Sequence, residues 1–173
     1  MSRNQLDQET SPYLLLHKDN PVHWRAWNQE MLNEAEQSGK PILLSIGYTA
    51  CHWCHVMNRE SFADPAVAAL LNEHFIPVKV DREERPDVDR IYQTAAALRG
   101  GQGGWPLTAF LTPKAEPFLI GTYFPPETRE GRPGFKVILE QTIEAYKKEG
   151  EQIAQSIEQL NGGFAKLWGL DLR

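Results

Sequence analysis

The chain has two cysteines, Cys51 and Cys54, in the run Cys-His-Trp-Cys-His. Such a pair can hold two electrons as a dithiol–disulfide couple, or offer soft ligands to a metal. Ile42-Leu43-Leu44-Ser45-Ile46 comes just before it and reads as a short buried strand. No Gly or Pro interrupts residues 52–60, so a helix can begin at the cysteines. A cysteine at a helix start meets unpaired backbone N–H groups and the positive end of the helix dipole. Both favour the thiolate, which is the form that attacks a disulfide. Cys51 is therefore the expected nucleophile. Cys54, one turn later on the same face, is expected to resolve the mixed disulfide.

The rival chemistry uses Cys51, His52, Cys54 and His55 as ligands to zinc or copper. Four ligands from one short helical segment make a poor tetrahedron, so a metal would need a second chain. The string also fits covalent c-type haem, which needs an export route and an axial ligand set that the sequence does not display. No cofactor is expected. Protonated His52 would stabilise the Cys51 thiolate and make the disulfide more oxidising; the alternative is a solvated histidine with little effect. Trp53, exposed at the helix start, suits a surface that receives a peptide, or packs on a neighbouring loop. His55 is at a position where a structural histidine is the common outcome.

The elements that must position this centre are legible from periodicity and breakers. Ser11-Pro12 caps a short helical turn through Leu14 to His17. Asn20-Pro21 reads as the start of a longer helix with Trp24, Trp27, Met31, Leu32 and Ala35 on one face, ended by Gly39. After the cysteine helix, Asp64-Pro65 opens another run with Val67, Leu70 and Leu71 on one side. Phe75 to Val80 is a second strand, and Pro77 places it at a sheet edge. Pro86 opens a helix carrying Val88, Ile91, Tyr92, Ala95 and Leu98. Gly100 to Gly104 is a flexible loop leading to Trp105-Pro106 and a third strand, Leu107 to Leu111. A short turn then gives a hairpin to a fourth, roughly Phe118 to Tyr123. After Gly134 a last helix carries Phe135, Ile138, Leu139, Ile143 and Tyr146. Ile153, Ile157 and Leu160 keep near that phase, so the helix can run on through Gly150. The crossover rule makes the first two strands parallel, and the short turn makes the last two antiparallel.

With 173 residues, 41% hydrophobic and 24% charged, one domain with a substantial core is expected. A net charge of −5 and a pI near 5.6 argue against nucleic acid or an anionic membrane as partner. The N-terminal residues lack the apolar core of a signal peptide, and no apolar run approaches spanning length, which makes the cytoplasm the expected compartment. There a Cys-x-x-Cys pair points to catalysis or metal binding before a structural staple.

The element order, with Cys-x-x-Cys after the first core strand and a proline opening the third, resembles thioredoxin. Ordered blocks narrow the resemblance: Ser-Pro-Tyr-Leu-Leu (11–15), Asn-Pro-Val (20–22) with Trp24, Lys-Pro-Ile (40–42), Ser-Ile-Gly-Tyr (45–48) and Cys-His-Trp-Cys-His-Val-Met (51–57). They continue with Val-Asp-Arg-Glu-Glu-Arg-Pro-Asp-Val-Asp (80–89), Gly-Gly-Trp-Pro-Leu (103–107) and Gly-Thr-Tyr-Phe-Pro-Pro (121–126). Together they resemble the thioredoxin-like domain of the spermatogenesis-associated protein 20 family over roughly residues 5–160. The resemblance implies an α/β fold with a central mixed sheet of four strands, or five, flanked by helices. It divides the chain into an N-terminal helical extension (1–40), a thioredoxin-like core (41–160) and a tail (161–173) with Phe164, Leu167, Trp168, Leu170 and Leu172 available to dock. Family members usually continue into a large helical domain, so this sequence is a stand-alone version or a fragment. His23 stands where the family more often has Asp.

By the same resemblance Trp105-Pro106 is cis, faces the dithiol and offers its backbone to a substrate as an added strand segment. Cys51, Cys54, His52 and Pro106 are then the catalytic set, and Trp53, Trp105 and Pro106 the substrate surface. Thioredoxins bury an acid six residues before the first cysteine, to move protons to and from the second. Here that position is Ser45, which leaves the task to His55, a water or nothing. The expected activity is thiol–disulfide exchange with a protein or small-molecule disulfide. The alternatives are a metal-binding module and a redox-regulated interaction domain.

Overall fold

The computed structural model describes residues 2–148. The expected run of the last helix through Gly150 and the docking of the tail lie outside the described residues. Four strands form one mixed sheet in the order β2-β1-β3-β4: β1 (Ile42–Gly47), β2 (Ile76–Asp81), β3 (Leu107–Leu111) and β4 (Pro117–Gly121). β1 and β2 are parallel, while β3 runs antiparallel to both β1 and β4. The fourth strand ends at Gly121, two residues before the expected boundary.

Strand alternation divides the core between the two sheet faces. Ile42, Leu44 and Ile46 of β1 join Val78, Val80, Leu107 and Ala109 on one face, under α2 (Gln29–Ser38) and α5 (Pro86–Leu98). Leu43 and Phe110 face the other way. They meet Tyr13, Trp24, both cysteines, Phe62 and Phe135, brought there by α1 (Pro12–Leu15), α3 (His52–Met57) and the helical residues 135–148, here α6. A π-helical turn, Asn58–Phe62, links α3 to the region of α4 (Pro65–His74), so the two helices are separate but nearly continuous.

Pro77 is on the edge strand, as its missing N–H requires. Its carbonyl accepts from Arg25 N, and Lys79 N donates back to Arg25 O. Groups of one residue point to the same side of a strand, so the Pro77 nitrogen faces away from β1. The place of a fifth strand is taken by this single bridge at Arg25. The Arg25 guanidinium is locked in two hydrogen bonds to Glu34 of α2, at 2.8 and 2.7 Å. One short bridge and a tethered cation leave little edge for another chain to pair with.

The long N-terminal helix does not start at Asn20-Pro21. It starts after Asn28, whose side chain accepts from Met31 N at 2.8 Å. The preceding residues instead hold the Arg25 bridge, which is incompatible with helical backbone. Trp24 and Trp27 therefore lie before the helix and enter different cores, one on each side of the sheet. Gly39 ends the helix at φ 70°, the left-handed conformation glycine adopts without strain.

Candidate active site

β1 ends at Gly47, and the chain turns through Tyr48 to Ala50 into α3. Cys51 caps this helix with extended backbone, and its sulfur accepts from Cys54 N at 3.2 Å. The two sulfurs are joined as a disulfide. Cys51 is 5% exposed and Cys54 1%, so the first cysteine is the more accessible of the two. His52 and Trp53 project outward, with Trp53 52% exposed, and their rings meet edge to face at 5.3 Å. His55 turns back, its Nε2 2.6 Å from Thr49 O. Among the described residues, no group of three or more His, Cys, Asp and Glu is arranged to hold a metal ion.

Trp105-Pro106 is a cis peptide. It lies one residue beyond the last β1–β3 pair, Ile46 with Leu107, which places it beside the end of β1 where the cysteine turn leaves. The glycine loop before it is tied down: Gln93 of α5 makes reciprocal 2.9 Å hydrogen bonds with Gly104 N and O. The Trp105 indole donates to Asp89 at 2.9 Å and meets Tyr48 edge to face. The Arg82 guanidinium stacks 4.3 Å above Trp105 and pairs with Asp89. On the far side Trp53 leans on Tyr123, whose hydroxyl donates to Glu60. Burial and the Glu60 carboxylate push the Tyr123 phenol up to about 12.

Behind the disulfide is a polar layer that the sequence motifs do not disclose. Ser45, Gly47, Lys79 and Asp81 alternate onto the cysteine side of the sheet, with Ser45 opposite Lys79 and Gly47 opposite Asp81. Lys79 is fully buried and donates to Ser45 Oγ at 3.1 Å. Its ammonium faces the rings of Phe62 at 4.4 Å and Trp24 at 4.6 Å. Burial drives the Lys79 pKa down to about 7, against the attraction of the ring faces for a cation. Asp81 is held by Ser11 Oγ at 2.7 Å. Tyr13 packs on His17, whose imidazole is pushed down to about 3, mainly by burial and then by Lys79.

Sequence motifs thus pointed to Cys51, His52, Trp53, Cys54, His55, Trp105 and Pro106, and the fold gathers these around the end of β1. Tyr13, Asp81, Arg82, Asp89 and Tyr123 lie within the ordered blocks, which assign them no role in the site, and Lys79 lies outside the blocks. The run from Asp81 to Asp89 reads as a solvated helix entry, whereas both of its end residues are buried. One signal was available: Ser45 and Lys79 each interrupt an apolar run inside an expected strand.

The family described as "Thioredox_DsbH: Protein of unknown function, DUF255" matches residues 3–164. The chain is 51% identical over 153 residues to the Caenorhabditis elegans "Uncharacterized protein B0495.5", and 46% identical over 157 residues to human "Spermatogenesis-associated protein 20". These alignments cover 88% and 91% of this chain, but only 21% and 20% of the relatives, so the chain spans about a fifth of their length. Its fold resembles a structure described as "DsbH Oxidoreductase" (TM-score 0.54, 18% identity, 79% of this chain and 90% of that one). It also resembles a thioredoxin from Thermus thermophilus (TM-score 0.51, 24% identity, 70% and 87%).

Proposed function

The chain belongs to the Thioredox_DsbH family of thioredoxin-like domains, and from that premise we propose that it exchanges electrons between its Cys51–Cys54 pair and a protein or small-molecule disulfide. The observation that carries this reading is the capped sulfur. Cys51 accepts the Cys54 backbone N–H at the start of α3, where a thiolate is stabilised.

Acting as a reductant, the Cys51 thiolate attacks one sulfur of the substrate disulfide, and the other substrate sulfur leaves as a thiolate. Cys54 loses its proton and attacks Cys51, expelling the second substrate sulfur. Two electrons pass to the substrate, and the Cys51–Cys54 bond forms. The reverse sequence oxidises a substrate dithiol. Trp53 and Trp105 border the entry, and the backbone at Trp105-Pro106 is the surface on which an extended peptide would lie. His52, exposed next to the nucleophile, tunes the couple. Among the described residues no helix is long and apolar enough to cross a membrane, and the cytoplasm is the proposed setting.

The test is alkylation of the Cys54→Ser variant as a function of pH. Cys51 should titrate below the free-thiol value of about 8.5, and the same variant should accumulate mixed disulfides with peptide disulfides. An apparent pKa at or above the free value, with no trapped adduct, would overturn the reading.

A further inference from the structure

Tyr13 has no exposed surface, and its hydroxyl has no hydrogen-bond partner among the described residues. An unsatisfied buried hydroxyl is costly, so one in a native core calls for an account. Its surroundings supply it. A Cβ on Gly47 would collide with the Tyr13 hydroxyl and lie 2.7 Å from Cys54 Sγ. The phenol of the N-terminal segment and the resolving sulfur therefore converge on the same point at the end of β1. A disulfide sulfur is a weak acceptor, whereas a thiolate is a strong one.

The nearby carboxylate is already engaged. Asp81 accepts from Ser11 Oγ at 2.7 Å with one oxygen and from Glu83 N at 2.9 Å with the other. Burial first, and then Asp81, hold the Tyr13 phenol above its ordinary value, so it stays protonated and can donate. The other titratable groups facing the phenol are Lys79, 5.8 Å from its ring, with His17 at 4.8 Å and His55 at 6.5 Å between ring centroids.

The geometry points to Tyr13 as the hydrogen-bond donor to the Cys54 sulfur in the reduced centre, shifting the couple toward the dithiol and supporting the sulfur that resolves the mixed disulfide. This rests on the redox reading of the Cys51–Cys54 pair. The phenol transfers no proton and no electron. In the disulfide form its hydroxyl lacks a partner among the described residues. When the S–S bond takes two electrons from two thiols of a reductant, which become a disulfide, the freed Cys54 sulfur gives the hydroxyl its acceptor. The protons lost by the reductant go to the cysteine sulfurs or to solvent.

The experiment is equilibration of the parent chain and Tyr13→Phe with glutathione buffers, followed by peptide-disulfide exchange on both. Phe keeps the ring that packs on His17 and removes only the hydroxyl. The variant should hold its disulfide about tenfold more tightly, about 30 mV more reducing for this two-electron couple. Its oxidised form should resist denaturant at least as well as the parent, since the partnerless hydroxyl is gone, and its reduced form less well. Equal equilibrium constants, or equal loss of stability in both redox forms, would overturn the inference even if the parent exchanges peptide disulfides. Conversely, a shifted glutathione equilibrium in a protein that exchanges peptide disulfides no faster than a free dithiol would uphold the inference and overturn the functional reading.

Discussion

Gly47 has no side chain because two others already occupy the place one would take. An added methyl would overlap the Tyr13 hydroxyl and approach Cys54 Sγ to 2.7 Å, and neither can withdraw into solvent, because both are buried. We expect Gly47→Ala to lose about 1–3 kcal/mol of stability, the usual cost of overfilling a packed site. Denaturant midpoints of the oxidised protein would measure it. A midpoint equal to that of the parent would mean that the phenol has room to move, and would weaken the case that it is held against the sulfur. Because Gly47 has an ordinary strand conformation, fully paired with β2, the penalty would be steric and not a matter of backbone freedom. A glycine within Ser-Ile-Gly-Tyr was legible in the sequence. What stands opposite its Cα was not, since Tyr13 is far away along the chain.

At the scale of elements, β2 is an edge strand that carries a cation into the core. Pro77 announced the edge, and the observed hydrogen bonds agree with it. Lys79 has a consequence for pH dependence. Its folded pKa of about 7 is below the ordinary lysine value of 10.5. Between those two values the unfolded chain binds a proton that the folded chain does not, so stability rises with pH across that window. The full penalty applies below about pH 7 and fades toward pH 10.5. Lys79→Met should therefore stabilise the protein near neutrality, less whatever the lost ring contacts and the lost hydrogen bond to Ser45 cost. Its advantage over the parent should shrink as the pH is raised. Urea unfolding of both proteins at neutral and alkaline pH would show this, and parallel pH profiles would refute it. The helix that carries Glu34 teaches the opposite lesson about legibility. The sequence puts the helix start at Asn20, because Pro21 follows it. The Arg25 bridge to β2, a tertiary contact, keeps that stretch out of the helix, which begins after Asn28 instead.

Across the whole molecule, the N-terminal segment is part of the core on which the cysteines rest. Leu6, Tyr13, Val22 and Trp24 are fully buried on the cysteine side, Asn4 ties its start to His17 O and Asn20 O, and Trp24 meets Phe62 edge to face at 4.9 Å. Removing residues 2–27 should thus abolish cooperative unfolding and leave the cysteine pair to be alkylated like a free dithiol. Circular-dichroism melts paired with alkylation rates would check it, and a sharp transition in the shortened chain would refute it. The sequence by itself determined the order of the strands along the chain, the parallel pairing of β1 with β2, the edge position of β2 and a cysteine pair at a helix start with a proline opening β3. Each follows from local periodicity, a breaker residue or a fixed chain direction. Only the tertiary structure decided that Tyr13, Lys79 and Asp81 form a buried polar layer behind the disulfide. It also decided that Arg82, Asp89 and Gln93 hold the loop bearing Trp105. Which distant side chains meet depends on strand register and on the packing of segments far apart in sequence, and no local pattern encodes either.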